Sequence, residues 1–177
     1  MKDKLEFTLS LVIGWLKFAE GKNATLVAAN GAAIFWLLNL YGNDMPSDMK
    51  FVVYIYQAII LLFLSASFCL ISFIPQVSVP WLMARGEPKN KDNLLAYSDI
   101  AKYDPDYYLE SVYKQSDNNV TSADPYERHL SELIVLYSRI AMRKYSLFNA
   151  GVWFSLSAIV TPLGAVLVLI IKKVFSK

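Results

Sequence analysis

Four cations and three tyrosines give this chain the means to hold a small anion. Lys22 and Lys144 are each the last charge before a long uncharged run, and Arg139 and Arg143 stand four residues apart. On a helix that spacing puts both arginines on one face. A guanidinium offers phosphate two parallel N–H donors, and an ammonium adds a point charge. Tyr97, Tyr137 and Tyr145 supply flat rings for a base to stack on. A second reading uses the same residues: cations at a bilayer edge anchor to headgroups, and a Glu20–Arg143 ion pair fits the spacing. Residue types alone favour the anchor.

Catalysis finds little to work with. His129, the only histidine, reads as a solvated first-turn residue. The sequence has no Cys/His metal spacing, no glycine-rich phosphate loop and no nucleophile elbow. Asp99, Asp104 and Asp106 are close in sequence, but capping or turn positions explain two of them more simply. We expect no enzyme, no cofactor and no metal.

The elements that position these residues follow from where charge is missing. The chain has 177 residues, 55% hydrophobic and 18% charged, with a mean hydropathy of +0.36. Asn23–Asn43, Phe51–Ala84 and Tyr145–Ile171 carry no charge. A helix needs roughly 20 residues to cross a hydrocarbon core, so each run is long enough. Phe7–Leu16 is too short to span and lacks a cleavage pattern, which argues against a signal peptide. Cys69 is the only cysteine, so no intrachain disulfide forms. The triplets at Asn23 and Asn119 match glycosylation sequons but carry no weight.

Arg85–Lys144 holds nine of the 17 basic residues and ten of the 15 acids, with basic residues at its edges. The positive-inside rule places it and the N-terminus in the cytoplasm, with Asn43–Met49 outside. Three crossings then leave Lys172, Lys173 and Lys177 outside, against the rule. The expected organisation is a cytoplasmic amphipathic helix (1–22), spanning helices at 23–43, 51–75 and 145–171, an external loop (44–50), a cytoplasmic sensor region (76–144) and a basic tail (172–177). The fold class is all-α: a multi-pass membrane protein whose long helices extend from the bilayer into a small cytoplasmic helical domain.

Leu5, Leu9, Val12, Leu16 and Ala19 recur at helical spacing, so 5–42 reads as one long helix or two collinear ones. Gly42 to Pro46 makes a turn, Ser47 or Asp48 caps the next helix at about 50–74, and Pro75 and Pro80 end it. Asp104-Pro105 starts a short helix lined by Tyr107, Tyr108, Leu109, Val112 and Tyr113. A loop at Ser116–Ser122 follows. Asp124-Pro125-Tyr126-Glu127 reads as a capping box. From it Leu130, Leu133, Tyr137, Ile140, Lys144 and Leu147, with Ile134 and Ala141 beside them, run into the last uncharged stretch without a stop. The first and last long helices thus share one design, a charged amphipathic half followed by an apolar half. Polar residues inside the runs (Asn30, Asn39, Ser65, Ser67, Ser155, Ser157, Thr161) serve helix packing or line a pore, and Gly31-Ala32-Ala33 and Gly151 permit close approach. Pro162 marks a kink.

Three blocks, "FAEGKNATLVAANGA" (18–32), "NLLAYSDIAKYDPDYYLESV" (93–112) and "DPYERHLSELIVLYSRIAMRKYSLFNAG" (124–151), resemble the transmembrane effectors of Pycsar antiphage systems. The resemblance implies that a partner nucleotide cyclase makes a cyclic pyrimidine mononucleotide, cyclic UMP or cyclic CMP, on infection. The effector, expected as a homo-oligomer in the bacterial inner membrane, binds it and impairs that membrane before phage release. No nucleic acid is expected as a partner. The implied ligand contacts are Lys22, Tyr97, Arg139, Arg143 and Lys144. The alternative is an accessory membrane subunit that docks a cytoplasmic protein and ignores nucleotides.

Overall fold

A computed structural model describes residues 1–43, 49–74, 86–89, 91–116 and 124–175, with backbone only for 40–43, 50, 51 and 162–175. All regular structure among them is helical: α1 (Lys2–Asn43), α2 (Met49–Ile71), α3 (Tyr97–Ile100), α4 (Pro105–Gln115) and α5 (Pro125–Phe175). The expected turn at Asp44–Asp48, the prolines at 75 and 80, Arg85, most of the 116–122 loop and Ser176 lie outside the described residues. The long helices α1 and α5 are each continuous, and α5 runs through Pro162 as one helix.

The chain forms two compact units. Unit 1 comprises Met1–Gly21 and Pro75–Ser146, and unit 2 comprises Lys22–Ile74 and Leu147–Lys177. The sequence boundaries at 22/23, 75/76 and 144/145 concern membrane crossing, which compactness does not measure.

Unit 1 has an apolar core of Leu5, Val12, Leu94, Ile100, Tyr103, Tyr108, Leu109, Leu130, Ile134 and Val135. The α1 face expected from spacing is the one buried, with Leu5, Val12 and Ala19 at 0–1% exposure. On α5 the expected row needs correction. Leu133 is exposed, whereas Ser131, Val135 and Ser138 are buried. The buried face is wider than one heptad row, and small hydroxyl residues serve in it. The Ser131 hydroxyl donates to the Pro105 carbonyl at 2.6 Å, tying the start of α4 to α5. On α4, Tyr108 and Leu109 are buried but Tyr107 is exposed, stacked on Tyr103 at 5.5 Å. Burial pushes the Tyr108 hydroxyl up to about 12, and that hydroxyl donates to the Leu94 carbonyl at 3.0 Å.

Two caps differ from expectation. Pro105 does start α4, preceded by extended Asp104 as a pre-proline residue must be. The Asp104 carboxylate makes no cap bond, however, and lies 3.6 Å from Arg139. Among the described residues the hydrogen bond of the Asp124 side chain is to the Tyr126 N–H, at 3.5 Å. Glu127 does not complete a box. It accepts from the Tyr113 hydroxyl and pairs with the Met1 ammonium at 3.9 Å. A phenol and a cation outcompete a backbone N–H for its carboxylate.

Unit 2 buries an apolar cluster of Ala58, Leu62 and Ala158 and, in addition, a polar cluster of Asn30, Ser65 and Ser155. Asn30 Nδ2 donates to Ser65 Oγ at 2.7 Å, and Ser155 Oγ donates to Asn30 Oδ1 at 2.8 Å. Ser65 Oγ lies 2.7 Å from the Gly151 carbonyl and 2.8 Å from Ser155 Oγ, so its single proton chooses between them. Its outside carries Phe35, Trp36, Phe63, Trp153 and Val160, each above 60% exposed. That surface suits lipid and would be a liability in water. Asn39, Ser67, Ser157 and Thr161 bond to carbonyls of their own helices instead, four residues back. The packing role therefore divides: Asn30, Ser65 and Ser155 join helices, while the other four satisfy themselves locally. Gly151 is a close-contact site, whereas among the described residues nothing lies within 4 Å of where a Cβ at Gly31 would be. Among the described residues one helical stretch, Val52–Ile71, is long and apolar enough to span by length and composition.

Candidate functional site

Unit 1 contains Tyr97 on α3 together with Arg139, Arg143 and Lys144, four of the five residues proposed from sequence. The single turn of α3 is stapled from both sides. Lys102 Nζ pairs with Asp99 at 2.6 Å and Asp92 at 3.1 Å, and Asp99 also accepts from the Asn93 N–H at 3.1 Å. The Lys102 hydrogen bond holds the Asp99 carboxyl below the usual carboxylate range. Because the folded pKa is depressed, its stabilisation is complete above the unfolded value and is lost as pH falls through the folded one. Asp99→Asn is thus expected to lower the thermal midpoint at neutral pH, with the gap to wild type closing below pH about 4. A gap independent of pH would assign the loss to geometry rather than charge.

Arg139 holds the other side of the turn. Its Nε donates to the Ala101 carbonyl at 3.1 Å and its Nη2 to the Tyr103 carbonyl at 2.7 Å. These carbonyls follow the end of α3, so the guanidinium acts as a C-terminal cap. Much of its donor capacity is thereby committed. Tyr97, on α3, sits between two rings: Trp15 at 5.9 Å and, stacked at 19°, Tyr145 at 5.0 Å. Burial raises the Tyr97 hydroxyl pKa. Tyr137 is not part of this stack and packs against the core. Lys144 pairs with Glu20 at 3.0 Å, its side chain only 12% exposed, so the partner of Glu20 is Lys144 rather than Arg143.

Arg143 differs from its neighbours. Its Nε is buried, with no hydrogen-bond partner among the described residues. Burial also lowers its pKa. A buried N–H donor without an acceptor is costly, and an anion would relieve that cost. Lys22, expected to join these cations, belongs to unit 2, where its ammonium lies 5.5 Å from the centre of the Phe148 ring. Of the five sequence candidates, four lie in unit 1. Sequence reasoning missed Trp15, whose part in the stack no spacing signals.

A helical chain whose one unit buries serine and asparagine under a surface of phenylalanine and tryptophan has the character of a membrane-associated protein. The Pycsar effector protein domain matches residues 4–171, and the chain belongs to that family. It is an antiphage effector and a membrane protein. No curated protein and no solved structure matches it.

Proposed function

We propose that the chain is a non-catalytic effector that binds a cyclic pyrimidine mononucleotide, cyclic UMP or cyclic CMP, in unit 1. Binding then impairs the bacterial inner membrane, which the chain crosses at 23–43, 51–75 and 145–171, and growth stops before phage release. A partner nucleotide cyclase supplies the ligand, and the effector acts as a homo-oligomer. The buried Arg143 Nε, which has no hydrogen-bond partner among the described residues and lies on the helix that supplies Tyr145 to the Tyr97–Tyr145 stack, supports this reading. One phosphate charge needs one bidentate donor, and Arg143 is the member of the set with donors to spare. Lys144 adds charge, Tyr97 a ring, and Arg139 fixes the turn that carries Tyr97.

Full-length protein in detergent, titrated with cyclic UMP and cyclic CMP, tests this. Arg143→Ala should remove a charge-assisted contact of about 1.5–3 kcal/mol, which is about tenfold or more in affinity. Arg143→Lys should recover only part, because an ammonium lacks the planar fork. Unchanged affinity in Arg143→Ala would return these cations to headgroup anchoring. No binding by wild type would favour the accessory subunit, a reading that the exposed Phe7, Phe18 and Leu136 of unit 1 suit.

A further inference from the structure

We propose that unit 1 holds a second small-molecule site, independent of Arg143, which takes a monoanion bearing a flat ring with N–H donors. The site is a cavity of about 530 Å³ between the first turns of α1, the 93–95 turn and the last turns of α4. That volume lies within the roughly 300–1,000 Å³ typical of small-molecule pockets.

Its lining is chemically specific. Lys4 brings an ammonium that no carboxylate pairs among the described residues, and its polar contact is the Ser116 hydroxyl at 3.4 Å. Ser116 Oγ gives its own proton to the Val112 carbonyl at 2.9 Å, so it holds the ammonium in place and Lys4 supplies the donors for an anion. Asp3, on the same rim, would repel a second negative charge, which favours a monoanion over a polyphosphate. The same carboxylate accepts from a ligand N–H. Gln115 adds a carboxamide with no hydrogen bond among the described residues, and Phe7 and Leu95, both exposed, give apolar walls for a ring. Buried Tyr108 also lines the cavity, and its hydroxyl is committed to the Leu94 carbonyl. Lys4 and Ser116 lie 112 residues apart, and the fold alone brings them together.

The test uses the full-length protein with Cys69→Ser and a reporter Leu95→Cys on the cavity wall, with the rate of maleimide labelling as readout. The probes are orotate, a flat monoanion with ring N–H donors and no phosphate, and cyclic UMP. Millimolar orotate should slow labelling at position 95 and leave a Leu133→Cys reporter, away from the cavity, unaffected. Lys4→Gln should raise the half-protecting concentration about tenfold, and Arg143→Ala should leave orotate protection intact. No protection at position 95, equal protection at 133, or indifference to Lys4→Gln would each overturn the site. Loss of orotate protection in Arg143→Ala would overturn its independence. If cyclic UMP titrations ignore Arg143 while orotate still protects position 95, the proposed function fails and the cavity stands.

Discussion

Gly151→Ala is expected to lower the thermal midpoint of the detergent-solubilised protein, and by more than removal of the polar cluster next to it. An alanine Cβ at 151 would meet Cys69 Sγ at 2.8 Å, the Ser65 carbonyl at 3.2 Å and Leu26 Cδ2 at 3.3 Å. One of these is backbone on a facing helix and cannot rotate away. Overpacking of this kind costs about 1–3 kcal/mol. Asn30→Ala would break two buried hydrogen bonds, but such bonds in membrane proteins average only about 0.6 kcal/mol. Packing should therefore outweigh polarity here. Adding Cys69→Ala to Gly151→Ala removes the shortest contact and should recover part of the midpoint, the rest being held back by the Ser65 carbonyl. A double variant no better than the single one would mean that the sulfur is not what alanine meets. An Asn30→Ala loss larger than that of Gly151→Ala would make the asparagine cluster, not close approach, the basis of unit 2.

The elements read from sequence were those marked by strong local signals. Charge-free runs, the Leu5/Val12/Ala19 face and Pro105 after an aspartate each have one dominant physical consequence, and the helices follow them. Capping was harder because side chains have competing partners. Asp104 and Glu127 fit cap positions, yet tertiary contacts to Arg139, Tyr113 and Met1 claim their carboxylates. Leucine spacing predicts one α5 face, but Ser131 and Ser138 are buried while Leu133 is not, because close helix packing admits small residues where leucine would be too large. In the same way, the four-residue spacing of Arg139 and Arg143 says nothing of their separate duties. That division depends on where the carbonyls of Ala101 and Tyr103 end up.

Inserting three glycines between Gly21 and Lys22 is expected to abolish membrane damage while leaving nucleotide affinity nearly unchanged. The insertion falls where the residues of α1 pass from one compact unit to the other within an unbroken helix. Unit 1 keeps its α1 residues through Gly21, including the Glu20 that pairs with Lys144, so its own packing is preserved. Unit 2 keeps Asn30 and with it the contacts to Ser65 and Ser155. What changes is the backbone between them, since each glycine in a helix interior costs about 1 kcal/mol relative to alanine and three together favour a break. A ligand shifts only an equilibrium whose states it binds differently, so a signal carried by α1 must pass as a movement of a stiff helix. A flexible joint absorbs that movement. Dye entry into cells after nucleotide addition reads the membrane step, and titration of the purified variant reads binding. A three-alanine insertion is the control: it retains helical propensity but rotates and shifts the two parts of α1, so it should alter the dose at which damage appears rather than uncouple it. If the glycine variant still binds and still permeabilises, continuity of α1 does not carry the signal. Transmission would then fall to α5, which is equally unbroken from Pro125 to Phe175, and the same insertion between Ser146 and Leu147 would be the one to uncouple binding from damage.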